Sequence, residues 1–269
     1  MIGHNFKRGS DVTIGNNVTI GNNVTMGDHI LIEDDIVIGD NVIIDTGFII
    51  GNSSNIGNDV VIGNNVVIGR RVTIGHHVVI GNTVTIGSLI RDGNFGIGNF
   101  GIGNFGIGNF GIGNSATIGN SATIGDSATI GDSVTIGDNA TIGNNVWIGY
   151  KITDDQYVQI CENVTIYGNV NIGVNVYIGK YVEIGYGEPK DGDFVVIGNN
   201  VYIGNRVRIG IKCQIKMGVK IMENARLEHQ IIVEKESVIG QHSIIMNNVI
   251  IEAGSFLQNG TFVDSEGHV

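Results

Sequence analysis

A single proline stands in 269 residues, against 43 glycines, and aromatic side chains make up only 6%. Collagen is excluded, because glycine does not fall on every third position and proline is all but missing. So few large rings also argue against an ordinary packed domain. No apolar run reaches the roughly 18 residues of a membrane-spanning helix before Gly, Asn or Asp breaks it. The chain is therefore expected to be water-soluble, with no membrane partner. The opening MIGHNFKRGS lacks the apolar stretch of a secretory signal, so the expected location is cytoplasmic. Basic residues are scarce: 15 Lys and Arg face 26 Asp and Glu, a formal charge of −11. Such a chain repels nucleic acid and leaves only local basic patches for anions. Of the two cysteines, Cys161 falls on a turn and Cys213 on an inward position of another face, so they read as reduced thiols rather than a bridge. Disorder is excluded by 42% hydrophobic residues, enough apolar surface to offset the entropy of ordering.

What is abundant is a repeat of six. DVTIGN, NVTIGN and NVTMGD follow one another at the start, and aliphatic residues keep strict phase from Ile14 to Ile86, with Asp92 in the next slot. The phase shortens to five through four copies of FGIGN (Ile97, Ile102, Ile107, Ile112) and returns to six from Ile118 to Ile184. Residues 186–194, which hold Pro189, interrupt it once before Ile197 to Val263 resume. Counted this way the chain has 38 sides of six residues and 4 of five, or 42 sides. In Val-Thr-Ile, the Val and Ile point one way and the Thr the other, a short strand of period two built from β-branched residues. Gly and Asn follow where the chain turns, both accepting left-handed backbone angles cheaply. One such side cannot bury its apolar face alone, so successive sides wind into a coil closing on an Ile/Val interior, a β-solenoid.

The pattern [V/A]-T-I-G-[N/D]-[N/S] resembles the hexapeptide-repeat family. That resemblance implies an all-β, left-handed parallel β-helix with three sides per turn, here about 14 coils in a single domain spanning 1–269; the hand comes from the resemblance, since left-handed crossovers are otherwise rare. The FGIGN stretch, 95–114, admits two readings. It forms shortened sides of the same helix, with Phe100, Phe105 and Phe110 over the small Ala116, Ala122 and Ala128, or a different four-sided coil like those of pentapeptide-repeat proteins. The first keeps the strand ladder unbroken. Asp92 and Asp154 occupy inward slots, costly for a carboxylate unless a local bulge turns them out.

Several chemistries of this fold fail on the residues. A γ-class carbonic anhydrase needs three converging histidines for zinc; His76 and His77 have no third partner at that spacing, and His229 and His242 stand alone, so no metal is expected. An ice-binding surface needs one flat Thr array. The outward Thr are instead spread over three faces: Thr13, Thr85, Thr117 and Thr135; Thr19, Thr73, Thr123 and Thr141; Thr25, Thr129 and Thr165.

Hexapeptide acyltransferases place a catalytic His two residues after the reference aliphatic, and two segments resemble that arrangement: Ile74-Gly75-His76-His77 and Leu227-Glu228-His229-Gln230. Nine of the fifteen Lys and Arg lie between residues 180 and 235, which favours the second. Arg208 and Arg226 read as outward residues one coil apart on one face, a repulsive stack that calls for an anion between them. Glu183 would answer one, and the phosphates of coenzyme A both. The resemblance then implies acyl-CoA-dependent transfer to a sugar or amine. His229 would be the general base, Glu228 its orienter, His76 the reserve base, and Arg208, Lys220 and Arg226 the phosphate ligands. The bland alternative is a solvated basic face balanced by Glu223, Glu228, Glu234 and Glu236. The 186–194 loop resembles the Gly-rich excursion of serine acetyltransferases, but Cys161-Glu162-Asn163 stands where those enzymes carry their His. Outward apolar residues at Ile232, Val238, Ile244, Ile250, Phe256 and Phe262, and at Leu31, Val37, Ile43, Ile49, Val61, Val67 and Val79, call for cover, in this family a homotrimer. The rival reading is a rigid scaffold with no catalytic role.

Overall fold

The computed structural model describes residues 1–87, 116–149 except 126, 132, 133 and 145, 157–188 and 193–268. Among them lie strands of two to four residues in three parallel sheets of 13, 12 and 12 strands. Face I runs from Lys7–Arg8 to Phe262–Val263, face II from Val12–Ile14 to Ile250–Ile251, and face III from Thr19–Ile20 to Phe256–Leu257. The chain visits I, II and III in turn, giving about 12 turns of a left-handed parallel β-helix. No described helix is long and apolar enough to cross a membrane.

The hexad Val18-Thr19-Ile20-Gly21-Asn22-Asn23 shows how each letter works. Val18 and Ile20 are buried and Thr19 is exposed, and the same alternation carries one continuous core from Val18 to Val263. Each fully buried Val or Ile stabilises the coil by about 1.5–3 kcal/mol, which offsets the ordering of its side. The turn chemistry is divided between two residues. The left-handed angle belongs to the sixth letter, as at Asn17, Asn23 and Asn41 (φ 52°, 56° and 57°). The glycine before it answers a different need, close approach of the next coil. A Cβ on Gly119 would sit 2.6 Å from the backbone of Gly137, so the small residue is required by packing.

The fifth letter closes the corner. Asn22 N–H donates to Asp40 Oδ1 (2.6 Å) and Asp40 N–H to Asn58 Oδ1 (2.9 Å), so each side chain accepts from the backbone one coil earlier.

The coil count of 14 is corrected to about 12 by the ladders. Thr73–Ile74 pairs directly with Thr117–Ile118, Val79–Ile80 with Thr123–Ile124, and Thr85–Ile86 with Thr129–Ile130. Val134–Ile136 likewise pairs with Val158–Ile160. The described rungs thus make about 12 turns, without the six sides, or two turns, read at Asp92, Ile97, Ile102, Ile107, Ile112 and Asp154. Those residues, with all of 95–114, lie outside the described set. Ala116, Ala122 and Ala128 therefore follow the coil of Thr73, Val79 and Thr85, whose N–H groups donate to their carbonyls, and do not sit one coil after a phenylalanine. The face assignments shift accordingly. Thr73 joins Thr117 and Thr135 on face III, while Thr123, Thr141 and Thr165 form a column on face I. Hexad letters give the phase along the chain, but hydrogen bonding between coils decides which sides enter the stack.

Candidate functional site

His229 sits at the corner between faces I and II, just after the strand Arg226–Leu227. It fills the fifth-letter slot. Ile211 N–H donates to its Nδ1 (3.2 Å), and its own N–H donates to Asn247 Oδ1 (2.9 Å). An imidazole nitrogen has thus replaced the carboxamide or carboxylate oxygen that the repeat uses elsewhere. His76 does the same between faces III and I: Asn58 N–H donates to its Nδ1 (2.8 Å), and His76 N–H to Asn120 Oδ1 (2.8 Å).

What distinguishes the two corners is a roof. Between the strand Glu183–Tyr186 on face I and Val195–Ile197 on face II lie the residues that interrupt the repeat, and the first of them bear on His229. The Tyr186 ring lies 5.3 Å from the imidazole, tilted by 56°. Its hydroxyl donates to Glu228 Oε2 (2.9 Å) and lies 3.2 Å from the Leu227 carbonyl. The Arg208 guanidinium covers the tyrosine ring at 4.5 Å. Burial, opposed by the neighbouring Arg226, pushes the Tyr186 phenol up to about 12, so it stays a neutral donor. Gly187, at φ 128°, passes so close that a Cβ there would meet His229 Cε1 at 3.0 Å. At the far end Asp193 is buried and pairs with Lys212 Nζ (3.1 Å), which anchors the excursion beside the same corner. His76 is exposed.

The register confirms that Arg208 and Arg226 are neighbours on face I, with Glu183 on the preceding rung. Each arginine already has a counterion. Arg208 pairs with Glu183 (3.0 Å), and Arg226 with Glu228, whose side chain is only 13% exposed. The stacked charges are answered within the chain, so the repulsion does not by itself demand an external anion. Contact with Tyr186, ahead of Glu228, holds the Arg226 guanidinium above its ordinary range.

Lys220, read as the third phosphate ligand, stands on a different face from the two arginines. Its strand, Lys220–Ile221, belongs to face III between Tyr202 and Val238, so the three cations do not share a face. The base role read for His229 also meets an obstacle. Its Nδ1 lone pair is taken by Ile211 N–H, which leaves Nε2 carrying the proton of the neutral ring. Cys213 is buried beneath the corner with its thiol 3.0 Å from the Glu228 carbonyl, and burial pushes it up to about 12. Among the described residues no three His, Cys, Asp or Glu side chains converge as a metal site. The tyrosine–glutamate contact spans 42 residues and has no sequence signature; the only hint was that 186–194 interrupts the repeat.

Three family descriptions match parts of the chain: "GMPPB C-terminal domain" over residues 1–88, "Bacterial transferase hexapeptide (six repeats)" over 115–150, and "Hexapeptide repeat of succinyl-transferase" over 230–265. Two of the three are hexapeptide-repeat descriptions, in keeping with the six-residue period and the fold. No curated protein matches it by sequence. Among solved structures it is similar to a UDP-N-acetylglucosamine acyltransferase from Campylobacter jejuni, at 20% identity and TM-score 0.53, over 75% of this chain and 68% of that one. A Moraxella catarrhalis UDP-N-acetylglucosamine O-acyltransferase matches at 21% identity and TM-score 0.46, over 74% and 65%. An Arabidopsis UDP-N-acetylglucosamine acyltransferase matches at 15% and 0.35, over 94% and 64%. The hexapeptide-repeat chain spans about two thirds of the length of these structures. At such identities the likeness establishes the fold.

Proposed function

We propose that this hexapeptide-repeat protein transfers an acyl group from a thioester carrier such as acyl-CoA to the hydroxyl or amine of a small acceptor, a sugar being the class most in keeping with its structural neighbours. The observation that carries the reading is the roof over one of the two histidine corners. Tyr186 and Gly187 close on His229, with Glu228, Arg226 and Arg208 around them, while His76 fills the same slot in the open. Arg226 and Arg208, on the face that leads to this corner, would be the ligands of the CoA phosphates, and each must exchange or share its carboxylate to hold them. The acting unit is proposed as a cytoplasmic homotrimer, its subunits covering outward residues such as Ile250, Phe256 and Phe262, which are 57%, 71% and 53% exposed.

The test is thiol release from a panel of acyl-CoA thioesters with sugar and amine acceptors, alongside calorimetry with CoA. Turnover that His229→Ala lowers by two orders of magnitude or more, roughly what loss of one catalytic group costs, is the expected result. No binding at millimolar CoA and no turnover would leave the rigid scaffold. That second reading is favoured by two facts: both arginines are already neutralised, and both histidines perform the repeat's own corner duty.

A further inference from the structure

We infer that His229 acts on the acyl donor as a hydrogen-bond donor through Nε2–H, stabilising the thioester oxyanion, and is not the base that deprotonates the acceptor. This rests on the acyl-transfer reading of the corner. The reasoning starts from what the corner slot requires. Where a fifth-letter side chain closes the corner it does so as an acceptor, because the backbone N–H one coil earlier points at it: Asp40 and Asn58 accept through oxygen, His76 and His229 through Nδ1. A neutral imidazole has one bare nitrogen and one N–H. Once Nδ1 accepts from Ile211, the proton belongs to Nε2. Moving it to Nδ1 would set two N–H groups against each other in a half-buried corner and leave the Ile211 donor unsatisfied, which is costly.

The roof holds the ring in this state. A Cβ on Gly210 would collide with His229 Nδ1, and one on Gly187 would meet Cε1, so glycine at both places lets the backbone approach the imidazole closely. The Tyr186 ring lies against it at 5.3 Å. Nor does Glu228 accept from the imidazole. Its carboxylate is engaged by the Tyr186 hydroxyl and by Arg226. The groups turned toward a ligand here are therefore donors: Nε2–H and two guanidinium groups.

The step balances without a protein base. The acceptor's lone pair attacks the thioester carbon and the C=O π pair moves onto oxygen, where Nε2–H donates to it. The intermediate then re-forms the carbonyl, the C–S bond breaks, and the departing thiolate takes, through water, the proton shed by the acceptor nitrogen or oxygen.

Two substitutions separate donor from base, because Asn imitates the Nδ1 end of the ring and Gln the Nε2 end. His229→Asn keeps the corner acceptor and loses the outer donor. His229→Gln keeps an outer N–H but has no basic nitrogen. Transfer by the Gln variant is expected within about tenfold of wild type, with Asn and Ala down by about 10²–10³, the usual cost of one oxyanion donor. A folded Gln variant as inactive as Ala would overturn the inference. The fold-independent measurement is made on 15N-labelled wild-type protein, with the His229 ring signals assigned by their loss in His229→Asn. A bare Nδ1 and protonated Nε2 are expected for the neutral ring; Nδ1–H would overturn the assignment whatever the kinetics show. Wild type with no transfer from acyl-CoA at all would overturn the reaction and the donor role together, while the ring signals would still show whether the corner sets the tautomer.

Discussion

Two corners of this solenoid carry a histidine in the same repeat slot, held by the same bond from the coil before, yet only one has the elements of a site. At His76 the ring is exposed and its neighbours in the ladder are asparagines, Asn58 and Asn120. At His229 the identical bond is roofed by Tyr186 and Gly187, and two arginine–glutamate pairs lie on the adjoining face. The histidine is thus first a structural substitute for Asn. An excursion of the chain, not the imidazole, is what turns a corner into a candidate centre.

The comparison is broken most strongly through the glycines beneath the two rings. A Cβ on Gly210 would press on His229 Nδ1 and on the Glu228 carbonyl at 2.6 Å; one on Gly57 would meet His76 Nδ1 at 2.9 Å and the Gly75 backbone. Both corners are built alike, so Gly210→Ala and Gly57→Ala are each expected to destabilise by about 1–3 kcal/mol in thermal or urea unfolding. Only Gly210→Ala should also reduce acyl transfer in the fraction that remains folded. Equal loss of transfer in both variants would show that the roof confers nothing.

The hexad period made the fold legible because inward Val and Ile, outward Thr and the turn letters each answer one physical demand. Two things escaped it. The letters give the order of sides along the chain and not which sides pair, which is why Thr73 was read with Thr123 while it pairs with Thr117. That slip of five sides also moved the faces read for residues 117–148, until the sixth side counted at Asp154 restored the phase, and it hid the column of Thr123, Thr141 and Thr165. The sites suffered differently. His229, Glu228, Arg208 and Arg226 were legible as a group because phase along a solenoid reports which outward residues are stacked. Lys220, read with them as a phosphate ligand, lies one side earlier, on face III. The tautomer of His229 depends on a backbone N–H from Ile211, 18 residues earlier, and no side-chain letter records that bond.

A weaker contrast lies in alkaline stability. Cys213 lies under the His229 corner, its thiol pushed from an ordinary 9.0 up to about 12 by burial, and Tyr186 above it moves from 10.0 to about 12, mainly for the same reason. Both groups bind their proton more tightly when folded. Their contribution is therefore complete below about pH 9 and is lost as pH rises toward 12. Amide exchange at Ile211 is expected to accelerate over that window relative to Asn58, and Cys213→Val, which restores a common inward residue of the repeat, should remove most of the difference. If Ile211 and Asn58 lose protection in parallel, the alkaline change is global and the corners are not distinguished by it.

The smallest effects are expected from the cations, and they sharpen what the roofed corner is for. Arg208 and Arg226 are partly exposed, their guanidinium groups paired with Glu183 and Glu228, so Arg208→Gln or Arg226→Gln should change folding stability by no more than about 1 kcal/mol. Lys220→Gln is equally mild, being exposed on face III. Calorimetry with CoA at two salt concentrations should nevertheless rank the three. If phosphates dock on face I, Arg226→Gln and Arg208→Gln each weaken binding and flatten its salt dependence, while Lys220→Gln leaves both near wild type. A loss shared equally by all three would mean that CoA responds to the general basicity of residues 180–235 and not to this corner. A loss confined to Lys220→Gln would move the ligand to face III, away from His229, and with it the reason for assigning that histidine any chemistry.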